Sequence, residues 1–339
     1  MSRFITSFVA GLLAIVAGYC VSSAADLPGA LSREGPALTN FNNVTVLAWA
    51  GIEGTEAHKV RYATFKGNST TEREIPGALT VSAPALASGA QSVYLATTPP
   101  DADNSIDLYA SNDGGTFNSM GPLCDANACA RTLAAPALAG AGATLYAAWS
   151  TPNGAIKYAT YINGVWGIAP LPIPNARTDA RRGPALALYQ DRLYVAWLAP
   201  NGQTVSVASA TLPLSNGSWS GQAIQIPAQS HVAPALGVLT VPGAPNSAAQ
   251  SSQALFVAWT APDSRVNFAR WNPQLAQWAA SPSPIPLPTG PLTLQTVALN
   301  GFTFEENQEC FYVNSLADVG VGPGHRHKID FRKVTGGCP

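Results

Sequence analysis

Apolar residues in this chain fall into short runs, among them Thr144–Trp149, Arg192–Trp197 and Phe256–Trp259, rich in Val, Leu, Tyr, Phe and Trp. Gly, Pro and Asn bound them, as where Pro152-Asn153-Gly154 and Pro200-Asn201-Gly202 follow the first two. Runs this short between such breakers predict strands joined by tight turns. One stretch holds a full set: Ala135–Ala139, Thr144–Trp149, Ala155–Tyr161 and the segment after Asn163-Gly164-Val165-Trp166. The second strand of the set is apolar at successive positions, as expected when both faces are covered. The fourth is more polar, as expected at a rim.

The set recurs. Pro-Ala-Leu begins at Pro36, Pro84, Pro136, Pro184 and Pro234, a period of about 50 residues. Thirteen residues after the Pro stand Trp49, Thr97, Trp149 and Trp197, and the fifth copy reaches Trp259 after an insertion, Leu239 to Ser252, that belongs in a loop. A degenerate sixth unit follows. Gly290-Pro291-Leu292 stands for the tripeptide, Cys310–Val313 for the second strand and Lys328–Arg332 for the third. It lacks a fourth strand, and the segment Asp26–Leu38 matches Glu74–Leu86, the exit from the first repeat into the second. An array of four-stranded units with this period predicts an all-β fold, a six-bladed β-propeller of four-stranded blades. Its ring is expected to be closed by the mature N-terminal strand, which hides sheet edges.

The ends and the composition narrow the class. Residues 1–25 have a secretory signal's form: Arg3, an apolar run from Phe8 to Val21, and Ser23-Ala24-Ala25 before Asp26. A single secreted domain, 26–339, is expected, extracellular or periplasmic, with no later stretch near the ~18 apolar residues of a membrane span. Cys20 would leave with the signal, and an even set remains: Cys124 with Cys129 across one loop, and Cys310 with Cys338 tying down the C-terminus. Charged residues are only 11% of the chain and the net charge is −1, so neither a nucleic-acid stripe nor a polybasic membrane patch is present. No cofactor is called for. His325-Arg326-His327 lacks a third ligand nearby, so no metal is expected.

Ser111-Asn112-Asp113-Gly114-Gly115-Thr116-Phe117 resembles the Asp-box of the sialidase-type propellers, Ser-x-Asp-x-Gly-x-Thr-Trp, with Thr and the aromatic each one residue early. Asn163-Gly164-Val165-Trp166 and Asn216-Gly217-Ser218-Trp219 occupy the same place and keep Gly-x-Trp. The whole repeat also resembles that of secreted propeller lectins of the fucose-binding type. The resemblance implies sugars held between blades, and an Asp-box that serves folding rather than catalysis.

Sialidase-like chemistry would need three Arg around a carboxylate, and Arg61, Arg177, Arg181, Arg182, Arg192, Arg265 and Arg270 lie outside any Phe/Tyr-Arg-Ile-Pro motif. Glycoside hydrolysis needs two carboxylates about 5–9 Å apart, and no pair is singled out. The Trp column is sharper: Trp49, Trp149, Trp197 and Trp259 each end a second strand beside an interblade groove. Two readings stand: a platform for a sugar's apolar face, or a plug between blades. Trp49 with Arg61, Trp149 with Lys157 and Trp259 with Arg265 pair a stacking surface with a donor. The third-strand column Arg61, Asp107, Lys157, Ser206, Asn267 and Asp330 varies in charge, so equivalent sites in every blade are not expected. The expectation is a non-catalytic carbohydrate-binding protein with glycans or glycoproteins as partners. A glycoside hydrolase or lyase and a protein-binding scaffold are the alternatives.

Overall fold

A computed structural model describes residues 20–22, 31–32, 34–42, 44–51, 57–66, 69–215, 218–241, 252–263, 266–278, 283–284, 298–304, 308–318 and 327–335. Among the described residues every regular element is a strand, and the strands form six antiparallel sheets in chain order. The third sheet shows the pattern: Ala137–Ala141, Thr144–Ser150, Ile156–Ile162 and Val165–Pro170 pair each with the next. Asn163 and Gly164, both at positive φ, make the two-residue turn between its third and fourth strands, where the backbone twist of such a turn matches that of the strands.

The first sheet holds Ala37–Phe41, Val44–Ala50, Lys59–Lys66 and Ser69–Leu79, and the second Ala85–Ser88, Val93–Thr97, Asp107–Ser111 and Asn118–Pro122. The fourth repeats the order with Ala185–Tyr189, Arg192–Leu198, Thr204–Thr211 and Ile224–Pro227. In the fifth, the expected loop insertion is partly drawn into the ladder. Strands Ala235–Val241 and Ser252–Thr260 lengthen the hairpin and pair as far as Val241 opposite Ser252. The last sheet is Ala298–Phe304, Gln308–Asp318 and His327–Thr335, and its third strand is met by Leu31–Ser32 and by Cys20–Ser22. Its first strand starts after the Gly290-Pro291-Leu292 assigned to that role, and those three residues lie outside the described ones.

Successive sheets meet through their first strands. Ala37–Phe41 lies near Ala85–Ser88, that strand near Ala137–Ala141, then Ala185–Tyr189, then Ala235–Val241. Ala298–Phe304 lies near both Ala235–Val241 and Ala37–Phe41. Small residues permit this approach: a Cβ on Gly183 would run into the carbonyl oxygen of Ala135. The five Pro-Ala-Leu tripeptides, each with the Gly or Ala before it, together line one central cavity of about 160 Å³.

The crossovers between sheets are held by buried hydroxyls four residues before each Pro. Thr132 Oγ1 accepts from Ala134 N–H at 3.0 Å and Ser230 Oγ from Val232 N–H at 3.2 Å, and Ser32 Oγ does the same with Glu34. Thr80 Oγ1 instead accepts from Thr98 N–H of the neighbouring sheet at 3.1 Å. Ala180 breaks the series, and Asp179 Oδ1 takes over by accepting from Arg181 N–H at 2.9 Å. Each contact satisfies a backbone donor that leaves the ladder at the crossover.

The Asp-box segment performs the same service at the rim. Asp113 Oδ1 accepts from Ser111 Oγ (2.8 Å), Gly115 N–H (2.7 Å) and Thr116 N–H (2.8 Å). The turn so fixed offers the Gly115 carbonyl to Tyr62 Oη and, at 3.0 Å, to Arg73 Nη1 of the first sheet. Phe117 then packs edge-on against Tyr62, centroids 5.2 Å apart. The bonds from Gly115 N–H and Ser111 hold the Asp113 carboxyl below the usual carboxylate range.

Two outcomes follow from this packing. Gly183→Ala should lower stability by about 1–3 kcal/mol, the usual cost of overpacking. Gly221→Ala, where an added Cβ meets nothing within 4 Å, should leave the urea midpoint near wild type. Asp113→Asn should cost about 1 kcal/mol at pH 7. Because the folded-state pKa is depressed, the contribution is full above the unfolded value of ~3.9 and is lost as pH falls through the folded one. The gap between wild type and Asp113→Asn in urea unfolding should therefore narrow from pH 7 to pH 3.

Candidate functional site

Directly opposed residues on neighbouring strands share a face of the sheet, so register decides which side chains meet in each interface. Trp49 pairs with Arg61, Thr97 with Asp107, Trp149 with Lys157, Trp197 with Ser206 and Trp259 with Asn267. The core clusters show which way these faces look. Trp149 packs with Leu108 and Ile106 of the second sheet, Trp197 with Tyr146 and Ile156 of the third, and Trp259 with Val205 and Ile226 of the fourth. Each indole is thus driven into the interface with the preceding sheet. A second aromatic, at the turn between third and fourth strands, does the same nearer the rim: Phe117, Trp166, Trp219 and Trp278.

This packing bears on the two readings of the Trp column, platform and plug. Trp49 and Trp149 are 1% exposed, and Trp197 and Trp259 are 2% exposed. No indole face among them is open to a sugar. The plug reading accounts for all four, since a large ring at the end of an inner strand fills the wedge that opens between splayed sheets. Trp278 is buried against Trp271, centroids 5.4 Å apart.

The polar partners remain in the grooves and differ from one to the next. Arg61 Nη2 is 2.9 Å from Glu72 Oε1, and Lys59 Nζ is 3.1 Å from Glu74 Oε2 on the same sheet. Ser206 is buried and donates to Gln225 Oε1 at 3.1 Å. Between the first and second sheets, Thr97 stands where other repeats carry an indole, and its buried hydroxyl has no hydrogen-bond partner. Opposite it, burial raises the Asp107 carboxyl above its usual range, with the charge of Asp101 adding to the rise and Ser105 Oγ, 3.4 Å away, opposing it. The Asp107 carboxyl is half-buried, whereas the Thr97 hydroxyl opposite it is wholly enclosed and out of a ligand's reach.

The next groove, between the second and third sheets, combines the Trp149 Nε1 donor, buried and without a partner, with Lys157 and Asp125. Asp125 comes from the loop closed by the Cys124–Cys129 disulfide. Its Oδ1 accepts from Asn127 and Ala128 N–H, each at 2.8 Å, and its Oδ2 from Ile168 N–H of the third sheet at 3.3 Å. Those bonds, with a smaller contribution from Lys157, hold its carboxyl below the usual range. Asp125 was missed by sequence reasoning, although its place inside a tight cystine loop was a signal. Arg265, Cys338 and His325-Arg326 lie outside the described residues, as does the Cys310 side chain. No cluster that could hold a metal occurs among the described residues.

No protein-family description and no curated protein sequence matches the chain. Its fold does have counterparts. The lectin of Aleuria aurantia, solved with Fucα1-6GlcNAc, superposes with a TM-score of 0.60 at 14% identity, over 90% of this chain and 96% of that one. SapL1 lectin, solved with α-methyl fucoside, gives 0.57 at 10% identity over 91% and 98%. The sialidase of Trypanosoma rangeli gives 0.54 at 8% identity, covering 90% of this chain and 55% of its own. The fold is a β-propeller of the lectin and sialidase kind. Identity this low establishes architecture alone.

Because the inner indoles are core rather than platform, Trp149→Ala or Trp197→Ala should cost about 3–5 kcal/mol. Calorimetry should show a lowered Tm for each, whereas Lys157→Ala, at a partly exposed position, should melt within a few degrees of wild type.

Proposed function

We propose that the protein is an exported, non-catalytic carbohydrate-binding β-propeller that holds glycans in the grooves between blades. In this reading it has six blades, with Leu31–Ser32 as the outer strand of the last and the ring closed where Ala298–Phe304 meets Ala37–Phe41. The pairing of Leu31 with Lys328 and the nearness of those first strands support that closure. The Cys124–Cys129 disulfide and the signal-like start are compatible with an oxidising compartment.

The observation that carries the reading is the near full-length likeness to propellers solved with fucosides. The grooves add chemistry that suits sugars, because Asp107 in one, and Lys157 with Asp125 in the next, offer donors and acceptors at partly exposed positions. Their inequality favours one or two distinct sites over a repeated one. Hydrolysis would need a facing pair of carboxylates. Asp101 and Asp107 share Ser105 as a neighbour, yet Asp101 is committed to its own turn, accepting from Ser105 N–H at 3.3 Å and Ser105 Oγ at 2.7 Å.

The test is a glycan array probed with the intact, disulfide-bonded chain, with fucosylated glycans included. Saturable binding is expected, weakened about tenfold or more by Asp107→Ala or Lys157→Ala at unchanged Tm, as for loss of a hydrogen bond to a charged group. Absence of binding across the array defeats the proposal. Cleavage of a bound glycan would move the assignment to the hydrolase, and capture of protein partners regardless of glycosylation to the scaffold.

A further inference from the structure

The crossovers into the second to fifth sheets each run past the turn between second and third strands of the sheet they leave. Thr80 N–H donates to the His58 carbonyl, Thr132 N–H to that of Asn104, Thr178 N–H to that of Gly154 and Ser230 N–H to that of Gly202, at 2.7 to 2.9 Å. Each crossover then enters a first strand, and the starts of all five of these strands line one cavity together. The crossovers and the second-to-third-strand turns therefore share one end of the array of sheets.

Three groups succeed one another along that end. The turn of the second sheet exposes Asp101 and Asp103. Asp101 accepts from Ser105 and has no cation at ion-pair distance among the described residues. Asp103 meets Arg131 at 3.3 Å, in a surface pair whose side chains are 74% and 60% exposed and so readily change partner. Next, on the crossover into the third sheet, Leu133 is 41% exposed although Thr132 and Ala134 beside it are buried. The crossover into the fourth sheet then sets Arg177, Arg181 and Arg182 against a single acid, Asp179, and none of the three has a carboxylate at ion-pair distance among the described residues. Arg177 Nη2 donates to the Asn153 carbonyl at 2.6 Å and Arg182 Nε to the His231 carbonyl at 3.1 Å, which fixes two of the guanidinium groups at this end. Arg181 is exposed.

We propose that this end of the array is a homodimer interface, with a second copy of the chain as its occupant and Leu133 beside the two-fold axis. An apolar residue flanked by acid on one side and by base on the other complements itself. A copy turned over about an axis near Leu133 sets leucine against leucine and the acids against the arginines, and the symmetry repeats that charge contact on the far side. The leucines gain by leaving water, while the opposed charges fix the orientation. With a net charge of −1, two copies approach with little overall repulsion. A polyanion suits the surface less well, because Asp101 and Asp103 stand beside the arginines that would draw it in. The proposal is independent of the groove reading.

Sedimentation equilibrium of the intact chain tests it, at concentrations up to about 100 μM and at low and high salt. A dimer is expected, weaker at high salt. Leu133→Asp, Arg181→Glu and Asp103→Arg, all at exposed positions, should each weaken it at least about tenfold at unchanged Tm, since each change acts twice in a symmetric interface. The deciding measurement mixes Arg181→Glu with Asp103→Arg in equal amounts. One copy then presents acid on both sides and the other base on both, so the pair should associate more tightly than either variant does with itself. Three results would overturn the proposal: a monomer throughout, a dimer indifferent to Leu133→Asp and Arg181→Glu, or a mixture that associates no better than its components. Should the chain stay monomeric yet bind heparin, and lose that binding in Arg181→Glu, the surface passes to a polyanion instead.

Discussion

The rest of this structure depends on the wedge between neighbouring sheets. Sheets that touch along their first strands splay outward, and the gap must be filled at native packing density or it becomes a cavity. The chain meets the two ends of the gap with opposite choices. Near the axis it uses the smallest residues, with Ala and Gly letting one backbone approach the next, as at Gly183 and Ala135. Further out it uses the largest, Trp149 and Trp166 in one interface and Trp197 and Trp219 in the next. The ~50-residue period is the sequence record of that alternation.

The same constraint explains what the sequence made legible. Strand number and order could be read because breakers and apolar runs are local signals, and the paired columns Trp149/Lys157 and Trp197/Ser206 emerged in register. The direction of the indoles could not be read in this way. A second strand such as Thr144–Ser150 is apolar on both faces, so no alternation says which face a Trp takes or what the next sheet presents to it. The crossover hydroxyls Ser32, Thr80, Thr132 and Ser230 were in plain view four residues before each Pro, but Ala180 interrupts the series and each residue alone is unremarkable. Asp125 was hidden for another reason: its bond to Ile168 joins residues 43 apart.

Burial of the indoles changes the kind of ligand surface the grooves can offer. With stacking faces withdrawn and Thr97 enclosed, the partly exposed polar groups left in these two grooves are Asp107, Lys157 and Asp125, and a ligand held by such groups would depend more on correct pairing than on contact area. Two buried polar atoms stay unmatched at these interfaces, the Thr97 hydroxyl and the Trp149 indole nitrogen.

Repetition and function pull against each other here. The positions that must repeat for the sheets to pack, the Pro-Ala-Leu strands and the aromatic plugs, do repeat through the first five sheets, where Thr97 is the exception among the second strands. The positions free of that demand diverge: Arg61, Asp107, Lys157, Ser206 and Asn267 in the grooves, and Val81, Leu133, Arg181 and His231 three residues before the Pro of each crossover. A site built from the repeating set would occur in every blade and would be apolar. A polar site must come from the divergent set, and its chemistry is then particular to one groove or one crossover. Thr97 belongs to both sets, since giving up the plug at that interface is what leaves a polar atom beside Asp107.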